Sequence, residues 1–300
     1  MNPAGLCVGA KRVKLLQKLF NSTVFWVVLV GVACLATIWR CRTETLRKNL
    51  SDTMIDLASG VLASCAVFIA TCGWFRLHEI IEDRKIHKFF GKEVASGRVA
   101  VVIPDFQGNY QFKKRERPRG LPELIVPFPD AVAKDDLRGV GYISQLLGKL
   151  GNTSTELISD TDRQCEAYTN DDANIISLAL WSNYCTYKFM DETSDKLFVF
   201  NRTTDGLSVG GRDEHKHDSQ YDYGLIVKIR PRSHPNRVWF LCGGTGFNGT
   251  SGAAWFLANR WNELYELHGH SSFAAIIKIV AARDKSGIIV DSCAWEKGPK

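Results

Sequence analysis

Two long segments without a charged residue constrain this chain more than any other feature of its sequence. The first runs from Leu19 to Trp39 and the second from Leu57 to Phe75, which are 21 and 19 residues. A helix rises about 1.5 Å per residue, so either segment is long enough to cross a hydrocarbon core of about 30 Å. We therefore predict a two-helix transmembrane module at 19–76, preceded by a tail at 1–18. A cleaved signal peptide is the alternative for the first segment, but it lacks an A-x-A site and a second span follows.

The basic residues that flank these segments predict the orientation of the chain. The N-terminal flank and the stretch after the second segment together hold nine basic residues, and the connecting loop holds four. Because basic residues are enriched on the cytoplasmic side, both termini are expected in the cytosol, with the chain in the inner (plasma) membrane as a multi-pass protein.

The stretch that follows the second segment, at 77–94, is predicted to continue it as a connecting helix. Its apolar residues recur at roughly helical spacing, and Ile80, Ile81, Ile86 and Phe90 could share one side. A simple spacer is the alternative.

Residues 95–300 show short apolar runs separated by helical patterns, which is typical of an α/β domain. Over 130–150 an amphipathic helix is predicted by the spacing of its apolar residues, which are Val132, Leu137, Val140, Ile143, Leu146 and Leu147. Several runs are almost continuously apolar, so we expect a Rossmann-like domain with a mostly parallel, partly mixed sheet. The predicted strands are GRVAVVIPDF (97–106), TELISD (155–160), IISLAL (175–180), CTYKFM (185–190), KLFVF (196–200), YGLIVKI (223–229), SFAAIIKIVA (272–281) and GIIVD (287–291).

Charge and cysteine usage narrow the classes of partner and compartment. The net charge is +6, but the excess lies mainly in the first hundred residues and in one loop, so no nucleic-acid groove is expected. The nine cysteines include no C-x-x-C pair, which favours reduced thiols in a cytosolic domain over a disulfide framework.

A glycine-rich loop lies between an apolar run and a helical pattern, in VWFLCGGTGFNGTSGAAWFLANRW (238–261). It contains a literal G-x-G-x-x-G, and this strand–loop–helix context is the one that cradles phosphates. The alternative is a tight turn that needs glycine only for packing. The candidate ligand-binding residues of the loop are Gly243, Gly244, Thr245, Gly246, Asn248, Gly249, Thr250 and Ser251.

Other predicted strands also end in polar residues, and three of these are further candidates: Asp105, Asp160 and Asn183. In open α/β sheets ligands bind at the carboxyl ends of strands, so these residues are expected to converge with the loop. Asp284, after the next strand, is a candidate partner for a ribose.

Two other motifs have weaker functional interpretations. Ser251 lies in a G-x-S-x-A sequence, but it comes too late after the strand for a nucleophile elbow, and no histidine follows Asp284. His215 and His217 form an H-x-H that could offer metal ligands, although the surrounding charges favour a solvated loop. We predict neither a catalytic residue nor a metal site.

The order of these motifs resembles a known family. Two spans, then VVIPDF, LISD, NIISLALWSN, DYGLIVKI and the glycine loop, resemble the membrane-anchored nucleotide-sensor effectors of bacterial anti-phage signalling. The cytosolic part of such effectors is a SLOG-superfamily domain of the branch associated with TIR and sirtuin domains. The resemblance implies a nucleotide second messenger, cyclic oligonucleotide or NAD-derived, as ligand, and a homo-oligomer that permeabilises the membrane. The glutamate of the phosphoribohydrolase branch is missing, which favours sensing over catalysis.

We therefore expect a ligand-gated membrane effector whose ligand is a messenger, with no resident cofactor and no nucleic-acid polymer as partner. One alternative is a membrane-tethered enzyme that acts on NAD or a nucleotide through the same loop, with Asp105, Asp160 or Asp284 as acid or base. Another is a membrane scaffold whose α/β domain is purely structural.

Overall fold

The computed structural model describes residues 48–104 apart from 93, 95 and 96, then 133–160, 167–168, 170, 173–180, 182–193 and 197–295, together with residues 31, 32 and 36. The contacts divide the chain into two compact units, Met1–Arg84 and Lys85–Lys300. Most of the first predicted span, 19–39, and the candidate ligand residue Asp105 lie outside the described residues.

The first long helix, α1, covers Lys48–Phe90. Within the described part of the chain, one helical stretch is both long enough and apolar enough to cross a membrane. It is Ser59–Phe90 of α1, with a mean hydropathy of 1.6. Only 6% of its most apolar stretch is buried, so it differs from the core helix of a soluble domain. The second predicted span and the segment after it therefore form one continuous helix. Ile80 and Ile81 are exposed, whereas Phe89 and Phe90 are fully buried.

A mixed seven-stranded sheet forms the centre of the second unit. Its strands are β1 (Val99–Ile103), β2 (Thr155–Ser159), β3 (Asn174–Leu178), β7 (Tyr221–Ile229), β8 (Trp239–Thr245), β9 (Ser272–Val280) and β10 (Ile288–Trp295), in the order β10-β9-β7-β8-β3-β1-β2. The strands β8, β3, β1 and β2 are parallel, and the pairs β8–β7, β7–β9 and β9–β10 are antiparallel. The predicted α/β class is confirmed. Of the six strand pairs in this sheet three are parallel and three are antiparallel, so the sheet is mixed to a greater extent than predicted.

Helices and a second sheet cover the two faces of this sheet. On one face lie α2 (Lys134–Lys149) and α4 (Gly249–His268), whose apolar residues pack with Phe89 and Phe90. On the other face lie α3 (Tyr184–Thr193) and a three-stranded sheet of β4 (Phe198–Asn201), β5 (Gly206–Val209) and β6 (His215–Lys216). A short 3₁₀ helix at Asp284–Ser286 connects β9 to β10. The sheet is therefore buried on both sides, which explains its continuous apolar runs.

The path of the chain changes direction between β1 and β3. From β1 it crosses through α2 to β2 at the edge of the sheet, and it then returns past β1 to β3. From β3 it continues to the opposite side of the sheet. The carboxyl ends of β1 and β3 therefore form the topological switch point of the parallel half.

Two predictions about local structure were wrong. The segment 185–190 was predicted as a strand but lies in α3, because Asn183 caps this helix and Cys185 and Phe189 lie on its buried side. Leu137 was predicted on the apolar side of its helix but is 52% exposed. The buried side of α2 instead carries Asp136, Gly139, Ile143, Leu146 and Leu147.

Candidate functional site

The glycine-rich loop joins β8 to α4, as the sequence predicts. The strand ends at Thr245, the helix begins at Gly249, and Gly246 between them has a φ of +76°. A Cβ atom on Gly244 would overlap the backbone of Gly249. Gly244 and Gly249 therefore let the backbones of the strand and the helix approach closely, which a residue with a side chain would prevent.

The backbone N–H groups of the loop are occupied by carboxylates of the protein itself. The N–H of Asn248 donates to Asp222 Oδ2 at 2.9 Å, and Asp222 comes from the neighbouring strand β7. Asp135, in the first turn of α2, accepts the N–H of Thr250 at 3.2 Å and that of Ser251 at 3.2 Å. A helix N-terminus favours a negative group, and here Asp135 provides it.

Burial and hydrogen bonding act on these two carboxylates in opposite directions. Burial raises the pKa of Asp135, and its hydrogen bonds with Ser251 limit the rise. Burial also raises the pKa of Asp222, which the backbone N–H groups of Asn248 and Phe247 oppose. Hydrogen bonds from N–H donors thus stabilise the charge of both carboxylates in place of the water that burial removes.

The side chain of Asn248 belongs to a network within the protein. Its Nδ2 donates to Asp284 Oδ1 at 2.6 Å, and its Oδ1 accepts the N–H of Ala282 at 3.0 Å. Asp284 also accepts a hydrogen bond from Arg138 and one from Tyr142 at 3.0 Å. The carboxylate that the sequence suggested for a ribose is therefore already engaged with three protein side chains.

The hydroxyl-bearing residues of the loop are buried. Thr245, Thr250 and Ser251 are 2%, 5% and 0% exposed, so none of them faces solvent. Thr245 Oγ1 has no hydrogen-bond partner within the described residues. Phe247, at the tip of the loop, is in contrast 88% exposed.

The two other described candidates, Asp160 and Asn183, meet at the N-terminus of α3. Asp160 Oδ2 accepts the N–H of Tyr184 at 2.8 Å, and Asn183 Oδ1 accepts that of Cys185 at 2.9 Å. Asn183 Nδ2 donates to the carbonyl oxygens of Leu178 at 2.7 Å and Val102 at 3.3 Å, across β3 and β1. Both side chains therefore cap α3 at the switch point.

Gly243 connects this region to the glycine loop. A Cβ atom on Gly243 would press against Leu180 and the backbone of Ala179, which follow β3 directly. Ala179 has a φ of +71°, a conformation that is uncommon for a residue with a side chain. Gly243 thus lies beside the residues that follow β3, and Gly244–Ser251 lie against β7 and α2.

The two weaker motifs have structural roles in the described residues. Ser251 is fully buried in the first turn of α4 and does not sit on an exposed turn, so it cannot act as a nucleophile elbow. His217 Nδ1 lies 3.0 Å from Asp205, and His215 Nε2 lies 3.8 Å from Asp291. Among the described residues no group of three His, Cys, Asp or Glu is arranged to hold a metal ion.

Sequence reasoning missed Asp136, a buried carboxylic acid next to Asp135 in α2. It is 4% exposed, and its pKa is raised to about 7 by burial and, to a lesser degree, by Asp135. A signal for it was present, because Asp136 precedes Ile143 by seven residues and so shares the buried side of a helix. The two carboxylates that occupy the loop, Asp135 and Asp222, gave no such signal.

A scan against protein-family models and searches of curated proteins and of solved structures find no match for this chain. The geometry of the described residues is therefore the basis for a functional proposal.

Proposed function

We propose that this chain is a membrane-anchored sensor whose Rossmann-like domain binds a nucleotide second messenger, either a cyclic oligonucleotide or an NAD-derived molecule. In this proposal, binding changes the assembly of two membrane-spanning helices in a homo-oligomer. The assembly then disrupts the inner membrane in defence against phage. Both termini lie in the cytosol, and the messenger is a ligand and not a resident cofactor.

The observation that supports this proposal best is the position of the glycine loop in the sheet. The loop follows β8, which neighbours β3, and the change of chain direction lies between β3 and β1. Ligands of open α/β sheets bind outside the carboxyl ends of such strands. A phosphate at the start of α4 would therefore lie beside the switch point.

The contacts of Asp135 set a condition for phosphate binding. Because its carboxylate accepts the N–H groups of Thr250 and Ser251, a phosphate binds there only by taking its place. Asp135 belongs to α2, and on the same helix Gly139 lies against Ala254 of α4. Displacement of Asp135 would thus loosen the contact of α2 with α4. The ligand would then favour the state with the loosened contact over the ligand-free state, and such a preference is what a ligand-driven switch requires.

The exposed ring of Phe247 supplies a second kind of contact. An aromatic side chain that is 88% exposed on a loop between a strand and a helix is available to stack against a nucleobase. A base on Phe247 and a phosphate at Thr250 would lie on the same loop.

The membrane part of the proposal is supported by the exposed apolar surface of α1. Val67, Phe68, Trp74 and Phe75 are all exposed on this helix, as expected for side chains that face lipid or another membrane helix. The last residues of the helix, Phe89 and Phe90, pack in the core of the second unit. Because α1 is continuous over Lys48–Phe90, the second unit is connected to the apolar part of this helix through the helix backbone.

The proposal is tested with the full chain in lipid nanodiscs. Calorimetric titrations with ADP, ADP-ribose and cyclic di- and tri-adenylates measure binding, and the mass of the detergent-solubilised particles measures assembly. We expect saturable binding of at least one nucleotide and an increase in particle mass on its addition. Absence of binding for the whole panel would contradict the proposal. Conversion of a nucleotide to product in the same mixtures would favour the membrane-tethered enzyme instead.

A further inference from the structure

The last turn of α1 is packed into an aromatic cluster of the second unit. Phe89 has no exposed surface, and five other rings surround it with centroids 4.8 to 6.4 Å from its own. These rings are those of Phe90, Phe240, Trp261, Tyr265 and Phe273. The cluster therefore attaches the end of α1 to α4 and to the strands β8 and β9.

A buried ammonium group lies against the ring of Phe89. Lys228, in β7, has no exposed surface, and its Nζ lies 4.5 Å from the ring centroid of Phe89. The Nζ also donates to the carbonyl oxygen of His270 at 3.3 Å. Within the described residues these are the contacts that Nζ makes, and no carboxylate is among them. Phe89 therefore compensates part of the charge through the face of its ring, and it also keeps water away from that charge.

A second titratable group, His268 at the end of α4, belongs to the same cluster. Its ring stacks on Phe273 with a centroid distance of 4.6 Å, and the ring of Phe273 lies 6.0 Å from that of Phe89. The Nε2 of His268 is buried and has no hydrogen-bond partner in the part of the chain that the structure describes. A protonated imidazole carries an N–H on both ring nitrogens, so protonation leaves a buried donor without an acceptor.

The charges near Lys228 and His268 do not favour their protonated forms. Burial lowers the pKa of Lys228 from 10.5 to about 7, with a smaller effect of Arg230 on the same strand. Burial, followed by the charge of Lys228, lowers the pKa of His268 from its ordinary value of 6.5. The last turn of α1 adds His87 and Lys88, which are both exposed. The other titratable side chains at the end of α4 are Glu263, which pairs with Arg260, Tyr265, which contacts Phe89, and the exposed Glu266 and His270.

These contacts couple proton uptake to the position of Phe89. Departure of Phe89 from the cluster would admit water to the Nζ of Lys228 and return its pKa toward 10.5. Because the arrangement with the higher pKa binds the proton more tightly, protonation favours the arrangement in which Phe89 has left. For Lys228 this preference grows as the pH falls from about 10.5 to about 7, and His268 extends it below about 6.5.

We propose that proton uptake by Lys228 and His268 releases Phe89, and with it the last turn of α1, from the aromatic cluster. When both side chains are neutral, the cluster holds the end of α1 in place. The release requires no nucleotide, so this pH response is a further form of regulation and does not rest on the proposed function.

Hydrogen exchange followed by mass spectrometry tests the release on the full chain in nanodiscs. The protection of the last turn of α1, residues 85–90, is measured at pH 8 and pH 6 after correction for intrinsic exchange rates, with β3 as a reference for global unfolding. In wild type the last turn should be less protected than β3, because it opens locally. Its protection should fall about tenfold between pH 8 and pH 6, which is the effect of one group whose pKa is about 7 when Phe89 is in place and 10.5 after its release.

Two variants and a control assign this change to the two side chains. Lys228→Met should abolish the fall in protection between pH 8 and pH 6, whereas Lys285→Met, at an exposed position, should behave as wild type. His268→Phe keeps an aromatic ring on Phe273. It should therefore retain the loss of protection between pH 8 and pH 6.5, and show less further loss at pH 5 than wild type.

Three results would overturn the proposal, and the first two need wild type alone. Equal protection of 85–90 and β3 at both pH values would show that the last turn leaves the cluster only on global unfolding. Protection of 85–90 that is unchanged between pH 8 and pH 6 would show that protonation does not favour release. A folded Lys228→Met variant that keeps the pH dependence of wild type would show that another group is responsible.

Discussion

The carboxylate of Asp222 accepts the backbone N–H of Asn248 at 2.9 Å and fills the space beside Gly246. A Cβ atom on Gly246 would overlap Asp222 Oδ1, and the residue has a φ of +76°. The loop between β8 and α4 therefore depends on glycine at this position for two independent reasons. One is backbone conformation and the other is the room that Asp222 occupies.

Replacement of Gly246 by alanine should lower the free energy of unfolding by more than the cost of placing alanine in the left-handed backbone conformation. The left-handed conformation costs about 1–2 kcal/mol, and the collision with Asp222 adds about 1–3 kcal/mol. Gly211 is the matched control, because its φ of +72° is similar but a Cβ atom there meets nothing within 4 Å. Thermal unfolding of the full chain should show a clearly larger loss of stability for Gly246→Ala than for Gly211→Ala. Equal losses would mean that Asp222 does not hold the loop.

Lys228 predicts a pH dependence of stability. It lies in β7 with no exposed surface, its Nζ donates to the carbonyl oxygen of His270 at 3.3 Å, and the ring centroid of Phe89 is 4.5 Å away. Burial, with a smaller effect of Arg230, lowers the pKa of Lys228 from 10.5 to about 7. Since the unfolded chain binds the proton more tightly, this group lowers stability as the pH falls from about 10.5 to about 7, and no further below that range.

Lys228→Met should therefore raise the free energy of unfolding at pH 7 by roughly 2–4 kcal/mol. This increase in the free energy of unfolding should become smaller as the pH approaches 10. At that pH Lys228 is neutral in the folded protein, and the unfolded chain also begins to lose the proton. Lys285→Met, at an exposed position, serves as the control and should change stability little at either pH. A gain that is independent of pH would show that packing, and not the buried charge, is responsible.

A substitution at Phe247 should change ligand binding without changing the stability of the fold. Its side chain is 88% exposed, so Phe247→Ala should leave the unfolding temperature within about 1 °C of wild type. If the ring stacks on a nucleobase, the affinity for ADP-ribose should fall about 5- to 100-fold. Calorimetry on the variant and on wild type measures this difference. Unchanged affinity would remove Phe247 from the binding site.

The sequence predicts the local structure around the glycine loop better than it predicts the partners of the loop. The strand, the loop and the helix follow from an apolar run, a G-x-G-x-x-G motif and a helical pattern that are all contiguous in 239–268. The groups that occupy the loop come from elsewhere. Asp222 is 26 residues before Asn248, and Asp135 is 115 residues before Thr250. Contacts over such separations depend on the order of strands and leave no local periodicity.

The segment 185–190 shows how a local pattern can be overridden. Its alternation of polar and apolar residues predicts a strand, and in the structure it is a helix whose first N–H groups bond Asp160 and Asn183. Those caps and the burial of Phe189 against Trp239 favour the helix. Asp136 illustrates the opposite case, since helical spacing alone places this carboxylic acid on the buried side of α2.

The central claim is that a ligand phosphate competes with Asp135 for the N–H groups of Thr250 and Ser251. Its most direct test is the dissociation constant of ADP for the full chain in nanodiscs, measured for wild type and for Asp135→Asn. The amide keeps the size of the side chain but is a weaker acceptor than the carboxylate, so the variant should bind ADP about tenfold more tightly. Equal or weaker binding by Asp135→Asn, with the variant folded, would contradict the claim and leave the glycine loop as a structural joint.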